Sequence, residues 1–354
     1  MLSTILSGDM PRSRILAALL IAILICLAFA PFIFPGVRSV DTAARICIFI
    51  VLVASYDLML GYGGIVSFAH TMFFGLGAYG VALACTHMGR GFDALLVGSI
   101  GGAALAAVLA FLIGLFSLRV RAIFFAMITL AVASAVAVLV SQMSGITGGE
   151  DGLNYKIPRE LTPAFKFADE KIMGVRMNGK LLNYYLIFTC SLLLFLFMLR
   201  VVHSPFGRVL LAIRENDFRA ESIGYRVVHY RVAATCMSAA VAALAGALYA
   251  IWLRYVGPDT SLSMEVMIDI LLMVVIGGMG TMYGAVIGAT LFVLAQNYLQ
   301  GLMGAASEAV EGLPILPELL SADRWLLWLG VLFILSVYFF PTGIVGRLRE
   351  GKKT

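Results

Sequence analysis

Three carboxylates lie inside or at the edge of long apolar runs, where a charge is costly: Asp57, Glu265 and Asp269. Ionisable groups at membrane depth usually pair, face a water-filled cavity, or mark an ion route, so any of the three could serve a proton or cation pathway. The plainer alternative is a carboxylate at a helix end or interface, which suits Glu265 best. His70 follows Ser67 in a glycine-rich stretch. It either contacts a polar solute or is a hydrogen-bonded structural histidine. No Ser/His/Asp or Cys/His set has both partners in polar surroundings, so neither an enzyme nor a cofactor is expected. The five cysteines, Cys26, Cys47, Cys85, Cys190 and Cys236, each sit in or beside an apolar run with no two close in sequence. That pattern suits small buried hydrophobes rather than metal ligands.

Two phosphate-binding patterns fail on their context. Gly75-x-Gly77-x-x-Gly80 matches a dinucleotide fingerprint, but that motif needs a preceding strand and a βαβ unit, and here it lies within an apolar segment. Gly174 to Leu181 nearly matches a phosphate-binding loop, yet Leu181 stands where a magnesium-binding Ser or Thr belongs. The chain therefore carries no nucleotide site of its own. If ATP powers it, another subunit must bind the ATP.

The elements around these residues follow from composition. Of 354 residues 61% are hydrophobic and 13% charged, about half the charged fraction of a soluble domain. The expected class is an all-α polytopic membrane protein, a single transmembrane domain over residues 1–354. The formal net charge of +5 is spread over short loops without interleaved exposed aromatics, so membrane lipid is the expected surrounding and nucleic acid is not. Spans of about 20 apolar residues fall at roughly 15–34, 42–60, 65–88, 93–116, 121–141, 183–202, 231–253, 265–280, 281–300 and 324–341. The pair between 265 and 300 could be one long helix with a break. Arg12, Arg14 and the following apolar run resemble a secretory signal, but further spans follow, which points to an uncleaved first helix.

With ten spans, fourteen Lys and Arg fall on one side and eleven on the other, six of those in an insert at 142–182. The richer side holds both termini and the 203–230 loop, and is read as cytoplasmic. The insert is then extracytoplasmic, a folded cap too short to be a domain. Residues 301–323 read as a second outer loop. Two glycine-interrupted segments, Gly61 to Gly80 and Gly277 to Gly288, occupy the front and back halves. Paired interruptions of this kind point to an inverted-repeat core and a central pathway, with Gly61, Gly64, Ser67, His70, Gly277, Gly278 and Gly280 as candidate lining residues. Close helix packing is the competing explanation, and the G-x-x-x-G pairs Gly98/Gly102 and Gly284/Gly288 suit it.

The most informative stretch is GRVLLAIRENDFRAESIGYRVVHYR, Gly207 to Arg231. It is charged, of helical pattern, and flanked by spans. Such a segment suits docking on a soluble partner at the membrane face. Gly207 to Gly224 resembles the cytoplasmic coupling segment of branched-chain amino acid type ABC-importer permeases, the LivM-like group. GYGGIVSFAHTMFFGLGAYG from Gly61 is similar to that family's early glycine-rich segment, VVIGGMGTMYGAVIGA from Val274 to its late one, and Pro341-Thr342-Gly343 to its close. These cover nearly the whole chain from about residue 42 in the expected order. The resemblance implies a second, related permease subunit, two cytoplasmic ATPase subunits, an extracytoplasmic solute-binding protein, and a bacterial inner membrane. It places ATPase contact on Ala212, Arg214, Glu215, Asn216, Ala220, Glu221 and Gly224. Ile65, Ala69 and Ala285 depart from the family's usual Gln, Gly and Pro, which bears on substrate rather than architecture. The competing class is an ion-coupled secondary transporter using Asp57 or Asp269, which would have no need of a docking loop.

Overall fold

A backbone crossing hydrocarbon must satisfy its own N–H and C=O groups, which leaves helices or a closed barrel. This chain forms helices. The computed structural model describes residues 14–33, 36–117, 122–172, 175–309, 321, 324–339 and 343–350. In chain order the helices are α1 (Arg14–Ala28), α2 (Val37–Asp57), α3 (His70–Met88), α4 (Phe92–Ser117), α5 (Ala122–Gln142), α6 (Gly179–His203), α7 (Pro205–Glu215), α8 (Asp217–Ser222), α9 (Val227–Leu253), α10 (Met264–Gly277), α11 (Met282–Ala309), α12 (Trp325–Phe339) and α13 (Gly343–Glu350). Among the described residues eight helical segments are long and apolar enough to cross a membrane. The two remaining expected spans, α1 and α12, have 15 described residues each, α1 being followed after Phe29 by a further helical turn, Ala30–Ile33. The polytopic all-α class stands, and the count of ten is not confirmed.

Helix α2 is the axis of the bundle. Over its most apolar window 83% is buried, against 22% for α5 at the rim. Against it pack α9, α11, α6 and α10, and α9 in turn packs backbone to backbone with α3 and α4. A Cβ on Gly77 would overlap the Ala243 carbonyl, and one on Gly246 the Phe74 carbonyl, so α3 and α9 touch without side chains between them. Gly80 meets Gly98 and Gly102 of α4 in the same way. Small residues permit this approach where lipid offers no hydrophobic drive between helices. The apparent dinucleotide fingerprint is thus a helix-packing surface.

The 265–300 region is two helices. Gly277 lies against Gly284, and Met273 against Gly288, so α10 and α11 run antiparallel from a break at 278–281. Helix α11 continues to Ala309, past the expected end at 300, because a helix already started needs no further apolar residues to extend into water. Part of the expected 301–323 loop is therefore helical, while 310–320, with Glu311, Pro314 and Pro317, lies outside the described residues.

The insert and the charged loop sit at opposite ends of α6 and α9. At one end β1 (Leu153–Asn154) pairs antiparallel with β4 (Tyr255–Val256), directly after α9, and β2 (Lys166–Ile172) pairs with β3 (Val175–Asn178), directly before α6. Tyr155, Ile157 and Leu161 of the insert bury into one cluster with Tyr79, Ala247 and Ile251, so the segment is folded onto the bundle. Burial in this apolar cluster also pushes the Tyr155 hydroxyl well above its ordinary pKa. At the other end lie α7 and α8. Helix α6 has 25 residues, roughly 37 Å at 1.5 Å per residue, enough to separate the two ends by a bilayer core of about 30 Å. Leu16 of α1, Ile287 of α11 and Val345 of α13 pack together, and Gly343 sits on Gly278. The start of α1 and the last described helix therefore share the end that carries α7 and α8.

Candidate functional site

Helix α2 does not stop at a cap. Its last turn widens into a π-turn, Leu58–Tyr62, and the chain then runs non-helical to His70. Such turns occur mostly at functional positions because they misalign the backbone ladder. The second interruption, between α10 and α11, reaches the same place. Asp57 is 1% exposed, and its Oδ1 accepts from the Gly280 N–H at 2.8 Å. The Arg214 guanidinium, coming from α7, donates from Nη1 to the Gly61 carbonyl and sets its charge against the Asp57 carboxylate. One constellation therefore joins both glycine-rich breaks and the charged loop.

The glycines are required by this meeting. Gly280 has φ 78°, and a Cβ there would stand 2.8 Å from Arg214 Nη1 and 3.1 Å from the Gly61 carbonyl oxygen. Gly61 is pressed between the Asp57 carboxylate and the Gly280 amide. Gly64, exposed and at φ 67°, lies under the aliphatic stem of Arg214. A buried carboxylate is tolerable only with partners, and here they come from two separate segments, the 278–281 break and Arg214 of α7. Arg214 of α7 therefore touches both breaks.

The other pathway candidates are placed as follows. Ser67 is buried and accepts from the Ala69 N–H at 3.2 Å, while the Phe68 N–H donates to Thr129 Oγ1 of α5 at 3.1 Å. His70 is fully buried, with Nε2 2.8 Å from Ser55 Oγ. Ser55 spends its own proton on the Leu52 carbonyl, so the histidine donates from Nε2. Ser238 of α9 donates to the Ser55 carbonyl at 2.5 Å. His70 thus links α2 and α3 beside α9. Gly277 and Gly278 are buried, the latter under Gly343; Pro341 and Thr342 lie outside the described residues. Asp269 contacts Gln296 and Glu265 on the α10–α11 face, about 12 Å along α10 from the break, and does not join the constellation.

The loop itself is built on a small core. Ile213, Ala220 and Val227 are buried together with Val209 and Tyr230 against them. Asn216 ends α7 and caps α8, its Oδ1 accepting from the Arg219 N–H at 2.9 Å, the usual device for an orphan helix donor. Gly224, at φ 96°, turns the chain toward α9. Of the seven residues carried over from the family resemblance, all but Ala220, which is core, are exposed; Asn216 also caps α8, and Arg214 reaches the Gly61 carbonyl with the tip of its side chain. Sequence reasoning passed over Phe218 and Ile223. They are 77% and 69% exposed, large apolar groups on a loop at the end of the bundle.

Comparison with known proteins decides the class. The family described as "Branched-chain amino acid transport system / permease component" matches residues 39–337. The chain belongs to this family. Two similar relatives are the high-affinity branched-chain amino acid transport system permease proteins LivM of Salmonella typhimurium, 28% identical over 78% of this chain and 67% of its own length, and of Escherichia coli, 28% over 84% and 72%. A probable branched-chain amino acid transport permease protein LivM of Methanocaldococcus jannaschii is 26% identical over 68% and 66%. No solved structure matches. Membership in a permease family covers α2 through most of α12, so the breaks, the constellation and the charged loop all lie within the matched region.

Proposed function

We propose that this chain is the permease subunit of an ABC importer, forming the route for amino acids or similar small polar solutes, and that separate ATPase subunits drive it. The observation that carries the reading is Arg214. It stands on the loop with the exposed Phe218 and Ile223, yet its guanidinium ends on the backbone of the first break, beside the carboxylate that holds the second. A docked ATPase pressing on α7 and α8 moves this arginine, and the arginine moves Gly61 and Gly280. The glycine turns bend without side chains to repack, so they serve as the cytoplasmic gate.

On this reading the α7–α8 end is cytoplasmic and the insert end faces outward in a bacterial inner membrane, where a solute-binding protein delivers cargo. A second, related permease completes the pathway, with the two halves of each subunit related as inverted repeats. The chain supplies no nucleotide chemistry, and ATP hydrolysis falls to the partners. An ion-coupled carrier, the competing reading, has no need of the exposed α7–α8 loop.

Sidedness is the part most readily checked. In a variant with the five native cysteines replaced, Lys156→Cys reacts with an impermeant maleimide on intact cells and Glu221→Cys reacts only after permeabilisation. Both positions are exposed. Labelling from the same side refutes the proposed orientation. ATP-dependent solute uptake by the reconstituted assembly, absent without the ATPase subunits, tests the energy source.

A further inference from the structure

The end of the bundle that carries the insert is unusually basic for an outer face. Loops on that side of a membrane are normally poor in Lys and Arg, yet seven cations line two neighbouring clefts there. The larger cleft, about 660 Å³, is bounded by Arg90, Lys156, Arg159 and Arg254 and, among the described residues, by no acidic one. The second, about 480 Å³, shares Arg254 and adds Arg38, Arg45 and Lys180. Its one acid, Asp41, is already paired with Lys180 at 2.9 Å. Among the described residues, the four cations of the larger cleft make no ion pair.

Arg254 adds an independent observation. It is the one described non-glycine residue with positive φ, at 61°. It ends α9 in the left-handed region, where glycine is usual. Its N–H donates to the Ala250 carbonyl at 2.8 Å, and its carbonyl accepts from the Tyr155 N–H at 3.4 Å. The backbone is thus held from both sides in a conformation unfavourable for arginine. Strain of this kind persists where a side chain is wanted at that place, and the side chain in question stands between the two clefts.

We infer that the larger cleft is a binding site for a small organic anion carrying one or more carboxylates. Its volume lies in the range of small-molecule sites. Arginine offers planar pairs of donors matched to a carboxylate, and three converge here with a lysine. A zwitterionic amino acid would also need a countercharge for its ammonium, and among the described residues the cleft lining provides no carboxylate. Where the permease works in the orientation proposed above, such a site concentrates anionic solute at the mouth it enters; the binding itself does not depend on that orientation or on any ATPase.

The test uses the purified full chain in nanodiscs of phosphatidylcholine, with citrate as probe and leucine as the zwitterionic comparison, read by titration calorimetry at low salt. Citrate binds, binding weakens as salt rises, and leucine at the same concentration gives no heat. In the Arg90→Gln/Arg159→Gln variant the citrate Kd rises at least tenfold while the thermal midpoint without ligand is unchanged. Equal binding of leucine, or citrate binding unaffected by the double substitution, overturns the site. So does the absence of citrate binding in phosphatidylcholine, whether the cleft then retains phosphatidylglycerol, which would make it a lipid headgroup site, or captures an acidic binding protein in an Arg90- and Arg159-dependent way, which would make it a docking surface. If citrate binding fails while ATP-driven uptake of other solutes persists, this inference falls and the importer reading stands.

Discussion

Replacing Arg214 by alanine leaves the chain folded and membrane-inserted but cuts ATP-driven uptake by about 10- to 100-fold. That range follows from losing a charge-assisted hydrogen bond, about 1.5–3 kcal/mol, where the loop's Arg214 reaches the Gly61 carbonyl. The Asp57 carboxylate keeps its bond to the Gly280 amide, so the fold survives. ATPase subunits still assemble, because Phe218 and Ile223 are untouched, and their basal hydrolysis continues without responding to solute. Arg214→Lys restores uptake only in part, since an ammonium keeps the charge but lacks the planar, directed N–H donors that reach the Gly61 carbonyl. Normal solute-stimulated hydrolysis in Arg214→Ala would remove this residue from the coupling path.

Gly77→Val has the larger effect on stability. The new Cβ overlaps the Ala243 carbonyl, a backbone atom that cannot move unless α9 moves. Overpacking commonly costs about 1–3 kcal/mol, and this site lies at or above the upper end. Thermal unfolding in detergent shows a strongly lowered midpoint or failure to accumulate folded protein. Gly101→Ala is the control. Gly101 lies within α4 with open space around it, and alanine there favours the helix by up to ~1 kcal/mol. Similar midpoints for the two variants would mean that α3 and α9 are not in backbone contact.

Some of this was legible in the residues alone. The helical class follows from apolar run length, and Gly98/Gly102 and Gly284/Gly288 at i, i+4 spacing correctly signal close approach. Neither glycine-rich segment reveals from its own sequence that it meets the other, since Asp57 and Gly280 are brought together only by the antiparallel turn of α10 on α11. Arg214 reads as one of several outward charges on the loop. Its inward course depends on how α7 seats on the π-turn, which no local pattern encodes. Phe218 and Ile223 were hidden for a different reason: in an apolar chain two more hydrophobes attract no notice until their exposure is seen. The basic clefts draw on Arg38, Arg90, Lys156 and Arg254, far apart in sequence, and the pairing of β1 with β4 is what brings Lys156 to Arg254.

The central claim is that the α7–α8 loop seats on an ATPase subunit and passes its motion inward through Arg214. A photo-crosslinking residue in place of Phe218, in the assembled transporter, tests this most directly. The account predicts a crosslink to an ATPase subunit that changes in yield when ATP is bound. Crosslinking at position 218 to the solute-binding protein or to lipid alone, with no ATPase adduct in an otherwise active assembly, would contradict it.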